Sequence, residues 1–275
     1  MSRPLNTAEG ILAELGIKVP EDLDIEAIAE YCGATVRYKP LYGCEARIIG
    51  YRGRAIITIN ESSSRGRQRF SGGHELGHWM CDRGQTAFTC NYENYVKGWW
   101  SANPETRANR FASDLLLPLA MFRPRARGLP VTLESVRKLA DIFCMSLTST
   151  LIRLVEHGWL PSMLIHNSPH KREWFVASPE VSGRLWPLAR PGQGSLAISL
   201  LNGTSQEKGP ADIRCDNWIS HPNAEEYWVK ENSLRLRDGS VLSLLWWEDE
   251  QQLINLDENE EHTGNRRADG RLNWE

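Results

Sequence analysis

Apolar positions along this chain recur with two periods, and the periods change in blocks. Between 24 and 33 the spacing is helical. Ile25, Ile28, Ala29 and Cys32 make one stripe, Asp24 stands where an N-cap belongs, and Gly33 ends the run. Three short β-like pieces follow at 34–38, 45–50 and 54–60, the last rich in β-branched residues. Serines 62–64 offer an N-cap, and a helix is predicted over 69–81. A loop with Tyr92, Tyr95, Trp99 and Trp100 leads to Pro104, which opens a second helix over 105–117, closed by Pro118. Positions 123–130 read as a connection. From 132 to 159 the helical period returns twice, with Cys144-Met145-Ser146 as the turn between. Beyond Pro161 short β-like runs take over at 174–177, 195–201 and 240–247, and the acidic, then polar end from Glu248 is expected to fray.

Length and composition narrow the class. At 275 residues the chain suggests about two domains. Its 41% hydrophobic and 24% charged content is that of an ordinary globular protein. The net charge of -3 gives no global sign of nucleic-acid binding. No run approaches the roughly 18 apolar residues of a membrane span, and the N-terminus has no secretory pattern. The six cysteines lack a C-x-x-C pair and are expected to be reduced thiols in a cytoplasmic protein. Eleven Trp are unusual, and packing accounts for them.

The chemistry concentrates at 74–78, His-Glu-Leu-Gly-His. On a helix, residues four apart lie one turn apart on one face. His74 and His78 can thus offer two imidazoles to one metal, while Glu75 can reach a bound water without ligating. Two surface histidines flanking a solvated glutamate would give the same letters. Gly72 and Gly73 cost the helix about 1 kcal/mol each relative to Ala, which makes sense where another backbone approaches closely. A catalytic zinc needs a third protein ligand. In the second helix Glu105, Ala108, Asn109 and Ala112 share a face. The alanines would let it pack on the metal helix, Glu105 would complete the site, and Asn109 would support it. Asp82 and Glu93 are competing acids, the former too close to His78 along one helix. Cys81 and Cys90 lie near enough to bind metal, although small packing residues would serve equally well.

With these segments in view, 24–118 resembles the ImmA/IrrE metallopeptidases. The resemblance rests on Asp24-Ile-Glu-Ala-Ile-Ala, on Arg67-Gln-Arg-Phe ahead of His74-Glu-Leu-Gly-His, and on Glu105-Thr-Arg-Ala-Asn-Arg-Phe-Ala-Ser-Asp-Leu-Leu-Leu-Pro118. Ser71-Gly72-Gly73 stands where the family usually has Thr-Leu-Ala. The resemblance implies one Zn²⁺ per chain held by His74, His78 and Glu105, with Glu75 as general base. It also implies an endopeptidase that cleaves a helix-turn-helix (XRE-type) repressor and so derepresses stress or mobile-element genes.

The fold expected is α+β: a zincin-like peptidase domain over 1–125, a small helix-turn-helix-like module over 126–162, and a β-rich module over 163–275 with a polar tail. The strand at 54–60 is expected to be the sheet edge that aligns an extended substrate. Arg137, Lys138 and Arg153 are the cations that could meet phosphate in the helical module. Three cations on a net-negative chain argue against DNA, and packing or partner docking is the expectation. In the last module His166, His170 and His221 show no ligand spacing, and the family resemblance implies a GAF-like sensor there. The alternative reading of the whole is a non-proteolytic regulator that binds a partner protein or DNA and keeps a structural or vestigial zinc site.

Overall fold

A computed structural model describes residues 7–82, 87–90, 104–203 and 205–258. The chain divides into two compact units, Met1–Trp159 and Leu160–Glu275. Its described secondary structure mixes helices with two separate sheets, an α+β fold.

The first unit opens with α1 (Ala8–Glu14), capped by Thr7, and α2 (Ile25–Tyr31), whose cap Asp24 accepts hydrogen bonds from the Glu26 and Ala27 amides. Three strands follow: β1 (Ala34–Lys39), β2 (Ala46–Tyr51) and β3 (Arg54–Asn60). With β4 (Ala87–Cys90) they make a four-stranded sheet in the order β1-β3-β2-β4. β1 runs parallel to β3, and β2 runs antiparallel to both β3 and β4. The expected edge strand, 54–60, is therefore interior, and the outer strands are β1 and β4. Strand order is a long-range property: β1 pairs with β3 rather than with β2, the next strand in sequence.

The third helix, α3 (Arg65–Cys81), starts four residues before its predicted start, with Ser64 at the N-cap. The cause is Gly66, where an added Cβ would stand 3.0 Å from the Met145 and Ser146 backbone, so the first turn is packed rather than frayed. From Phe70 to Met80 every residue of α3 is buried. A helix buried all round must meet neighbours on all sides, and its glycines permit that. An added Cβ on Gly72 would stand 3.0 Å from Ile59 on the sheet side. On the other side Gly73 meets Leu116 and Ala112, and Gly77 meets the Ala108 Cα at 2.8 Å. Those three residues belong to α4 (Pro104–Leu116), so the small-residue faces of α3 and α4 interlock as the alanine spacing implies.

Pro118 then caps α5 (Leu119–Ala126), which takes in part of the stretch read as a connection and contains Pro124. Buried Met121, Phe122 and Ala126 anchor this short helix, so packing overrides the proline. Next come α6 (Leu133–Phe143) and α7 (Leu147–His157), capped by Thr132 and Ser146 and joined through Cys144 in the left-handed region at φ 50°. From Thr150 to Val155 α7 is buried throughout. Arg153, a candidate phosphate contact, instead donates from Nε to the Leu117 carbonyl at 2.9 Å and pairs with Asp114 at 2.9 Å. Lys138 pairs with Glu134 on the surface.

The second unit holds a five-stranded antiparallel sheet in the order β6-β5-β9-β8-β7: β5 (Ser162–Asn167), β6 (Arg172–Ala177), β7 (Glu207–Arg214), β8 (Trp228–Arg235) and β9 (Val241–Trp246). The run at 195–201 is not a strand. It forms a short helix, α8 (Leu196–Leu201), because two acceptors fix its first turn. Ser195 Oγ takes the Ile198 amide, and the buried Glu231 of β8 takes the Leu196 and Ala197 amides at 3.0 and 2.8 Å. Trp218 Nε1 and Ser233 Oγ also donate to Glu231. Burial still pushes its carboxyl pKa up, against those four donors. The end of the chain forms α9 (Glu250–Glu258), with Leu253 and Leu256 in the core; the rest of the tail expected to fray lies outside the described residues.

Candidate metal centre

Two helices build the site. α3 carries His74 and His78 one turn apart, and α4 brings Glu105 from its own first turn. The two imidazole Nε2 atoms stand 3.1 Å apart. Glu105 reaches both: Oε2 lies 3.3 Å from His74 Nε2, and Oε1 lies 3.4 Å from His78 Nε2. Three donors bound at about 2.1 Å to one tetrahedral ion stand about 3.4 Å from one another. The spacings among His74, His78 and the two oxygens of Glu105 are of that size, and the three residues are able to share one metal ion. Among the described residues these three are the one group of histidine, cysteine and acid side chains able to share a metal.

Each imidazole is oriented from behind. Asn109 Oδ1 lies 2.9 Å from His74 Nδ1, so Nδ1–H donates and the lone pair sits on Nε2, toward Glu105. Asp82 Oδ2 lies 3.5 Å from His78 Nδ1, close enough for its charge to act on the ring but without a hydrogen bond to it. Asp82 is itself held by Arg107 of α4. Burial lowers the His74 pKa and favours the neutral, metal-binding form. Burial alone would raise the Glu105 carboxyl, but the two imidazoles beside it hold it well below the ordinary carboxylate range.

Each residue singled out in the sequence has a place. His74, His78 and Glu105 converge, and Asn109 stands behind His74. Glu75 is fully buried on α3, between the two histidines in sequence. Asp82 sits behind the ring of His78 rather than competing for the same ion. The Arg107–Asp82–His78 chain was missed in the sequence. Its signal was there, since Asp82 lies four residues after His78, but the arginine arrives from another helix. Cys81 is an exposed free thiol. Glu93 and the side chain of Cys90 lie outside the described residues, as does the aromatic loop at 92–100. His166 Nε2 stands 2.8 Å from Ser240 Oγ, an ordinary packed histidine.

A mixed sheet backing a helix with two histidines one turn apart, and a glutamate supplied by the next helix, defines a zincin-like metallopeptidase domain. Residues 29–155 match the family model described as IrrE N-terminal-like domain (Peptidase_M78), and this part of the chain belongs to that family. Among solved structures, a Mycobacterium tuberculosis transcriptional regulator is similar in fold. It is 13% identical with a TM-score of 0.55, over 87% of this chain and 74% of that one. No curated protein matches the sequence.

Proposed function

We propose that this chain is a zinc-dependent endopeptidase, with His74, His78 and Glu105 as metal ligands and Glu75 as general base. The observation that carries this reading is the convergence of three side chains from two helices: the two Nε2 atoms lie 3.1 Å apart, and the two oxygens of Glu105 lie 3.3 and 3.4 Å from one each. A zinc ion there supplies a Lewis acid that polarises the scissile carbonyl and eases deprotonation of water near neutral pH. Glu75 accepts the proton of the attacking water and returns it to the leaving amine. Asn109 keeps the His74 imidazole in the ligating tautomer, and the Asp82 carboxylate lies near the far nitrogen of His78. An extended substrate adds as a strand to β4, the outer strand that follows the metal helix in sequence.

The substrate class follows from the family resemblance: a helix-turn-helix repressor of the XRE type, whose cleavage relieves repression of stress or mobile-element genes. The similar mycobacterial structure is titled a transcriptional regulator, which is compatible with that setting. Burial of α7 from Thr150 to Val155 leaves no free helix face there for a DNA groove, which favours proteolysis over direct DNA reading. The test is Glu75→Gln. It should keep its zinc and lose cleavage of the repressor encoded beside the gene. Undiminished cleavage by that variant overturns the mechanism.

A further inference from the structure

Among the described residues of the first unit, helices pack against one face of the four-stranded sheet. Ala46 and Ile48 of β2 and Ala55, Ile57 and Ile59 of β3 are buried toward α2 and α3. The alternate positions are exposed apart from Thr58, buried between Arg37 and Arg47, and the half-buried Asn60. Ile49 and Ile56 stand opposite each other across the β2–β3 ladder and are 55% and 39% exposed. Tyr51, 69% exposed, stands opposite Arg54. Arg47 and Arg37 flank Thr58 from the two neighbouring strands, and Lys39 stands beside Asn60. All five of the cations Arg37, Lys39, Arg47, Arg52 and Arg54 are exposed, and none forms an ion pair among the described residues. Of the acids bordering the sheet, Glu61 beside Lys39 keeps an exposed carboxylate, and two are engaged. Glu30 accepts from Thr35 Oγ1, and Glu45 pairs with Arg67.

The hairpin tip adds a second sign. Arg52 and Gly53 have φ of 48° and 81°, the backbone of a type I′ turn. Its first central position ordinarily takes Asn, Asp or Gly. An arginine there accepts left-handed strain, and its guanidinium lies 5.0 Å over the Tyr51 ring. Strain spent on an exposed cation at an unpaired basic face points to a use for that cation.

We propose that this open face docks a partner protein through an acidic segment bearing apolar side chains. An aliphatic centre ringed by arginines and a tyrosine has the composition of a protein–protein contact. A single-stranded nucleic acid needs a row of aromatic faces on which to stack, whereas the centre of this face is the aliphatic Ile49–Ile56 pair and one ring face of Tyr51 is taken by Arg52. The face lies across the sheet from α3, so a docked partner leaves the metal helix clear. The proposal rests on the sheet and not on the peptidase reading, and a binding assay tests it separately from cleavage.

The experiment is fluorescence anisotropy on the full chain, with a labelled peptide of repeating Glu-Glu-Leu-Glu and, in parallel, an oligothymidylate of equal charge. The peptide should bind saturably. Arg47→Glu with Arg54→Glu should weaken it about tenfold or more, and Arg37→Glu on another strand should act in the same direction. Ile49→Ser, which leaves charge unchanged, should weaken binding roughly threefold through lost apolar contact. Lys138→Glu, on α6, should bind as the wild type does. No peptide binding, wild-type affinity in the charge reversals, or tighter binding of the oligonucleotide would each overturn the proposal.

Discussion

Gly77→Ala tests the packing that positions the third ligand. Gly77 lies inside the His-Glu-Leu-Gly-His segment, and a Cβ there would stand 2.8 Å from the Ala108 Cα and 2.9 Å from its carbonyl oxygen. These are backbone atoms of α4, so no side-chain rotation relieves the overlap. Alanine in place of glycine gains about 1 kcal/mol of helix propensity. Overpacking against backbone costs about 1–3 kcal/mol, so the net destabilisation is at most about 2 kcal/mol. The larger effect is local. Relief of the clash must move α3 and α4 apart at Ala108, and Glu105 lies one turn before it on the same helix. The His74–His78 pair stays in place while its distance to Glu105 grows, and zinc affinity should fall roughly 10–100-fold. Gly72→Ala is the control, since its new Cβ would meet only the ends of the Ile59 and Ile25 side chains, at 3.0 and 3.3 Å. The assays are urea denaturation of the first unit and zinc titration against a chromophoric chelator. If Gly77→Ala keeps wild-type stability and wild-type zinc affinity, the close approach of α3 and α4 does not position Glu105.

Further predictions concern other parts of the molecule. Asn109→Ala and Asp82→Ala should each weaken zinc binding about 10–100-fold while leaving the helical content unchanged, as read by the same titration and by circular dichroism. Glu231→Ala should cost the second unit on the order of 3 kcal/mol in urea unfolding, because it strands the Leu196 and Ala197 amides and the Trp218 indole. Burial, then Arg153 and Arg123, lower the His157 pKa to about 4. The unfolded chain, with its ordinary pKa near 6.5, binds that proton first. Stability from this group is therefore full above about pH 6.5 and is lost as pH falls toward 4. After allowance for solvent screening the loss is about 1 kcal/mol. His157→Gln should flatten the midpoint-versus-pH curve of the first unit over that window, and an unchanged curve would refute the assignment.

The site was more legible in the sequence than the fold around it. Helical periodicity converts four-residue spacing directly into a shared face, so His74 with His78, and separately Glu105 with Asn109, could each be placed on one helix face; that the two faces meet was suggested by the alanine spacing and the family resemblance. Arg107 behind Asp82 could not, because the contact joins two helices and ordinary surface spacing gives no hint of it. Two readings failed for related reasons. The 195–201 run looked like a strand, but the Glu231 carboxylate that fixes its first turn comes from a strand more than thirty residues on. The 54–60 strand is rich in β-branched residues, which reports burial rather than position in the sheet, and it proved interior. Arg153 read as a surface cation by composition, yet the Leu117 carbonyl and Asp114 make it a buried clamp between α7 and α4.

The most direct test of the central claim is the metal content of the purified full chain by inductively coupled plasma mass spectrometry, beside His78→Ala and Glu105→Ala. The account predicts about one zinc per chain in the wild type, as a three-ligand site requires, and loss or sharp weakening in both variants. Little or no bound metal in the wild type after zinc is supplied and the excess removed, or full zinc retention without Glu105, would contradict it.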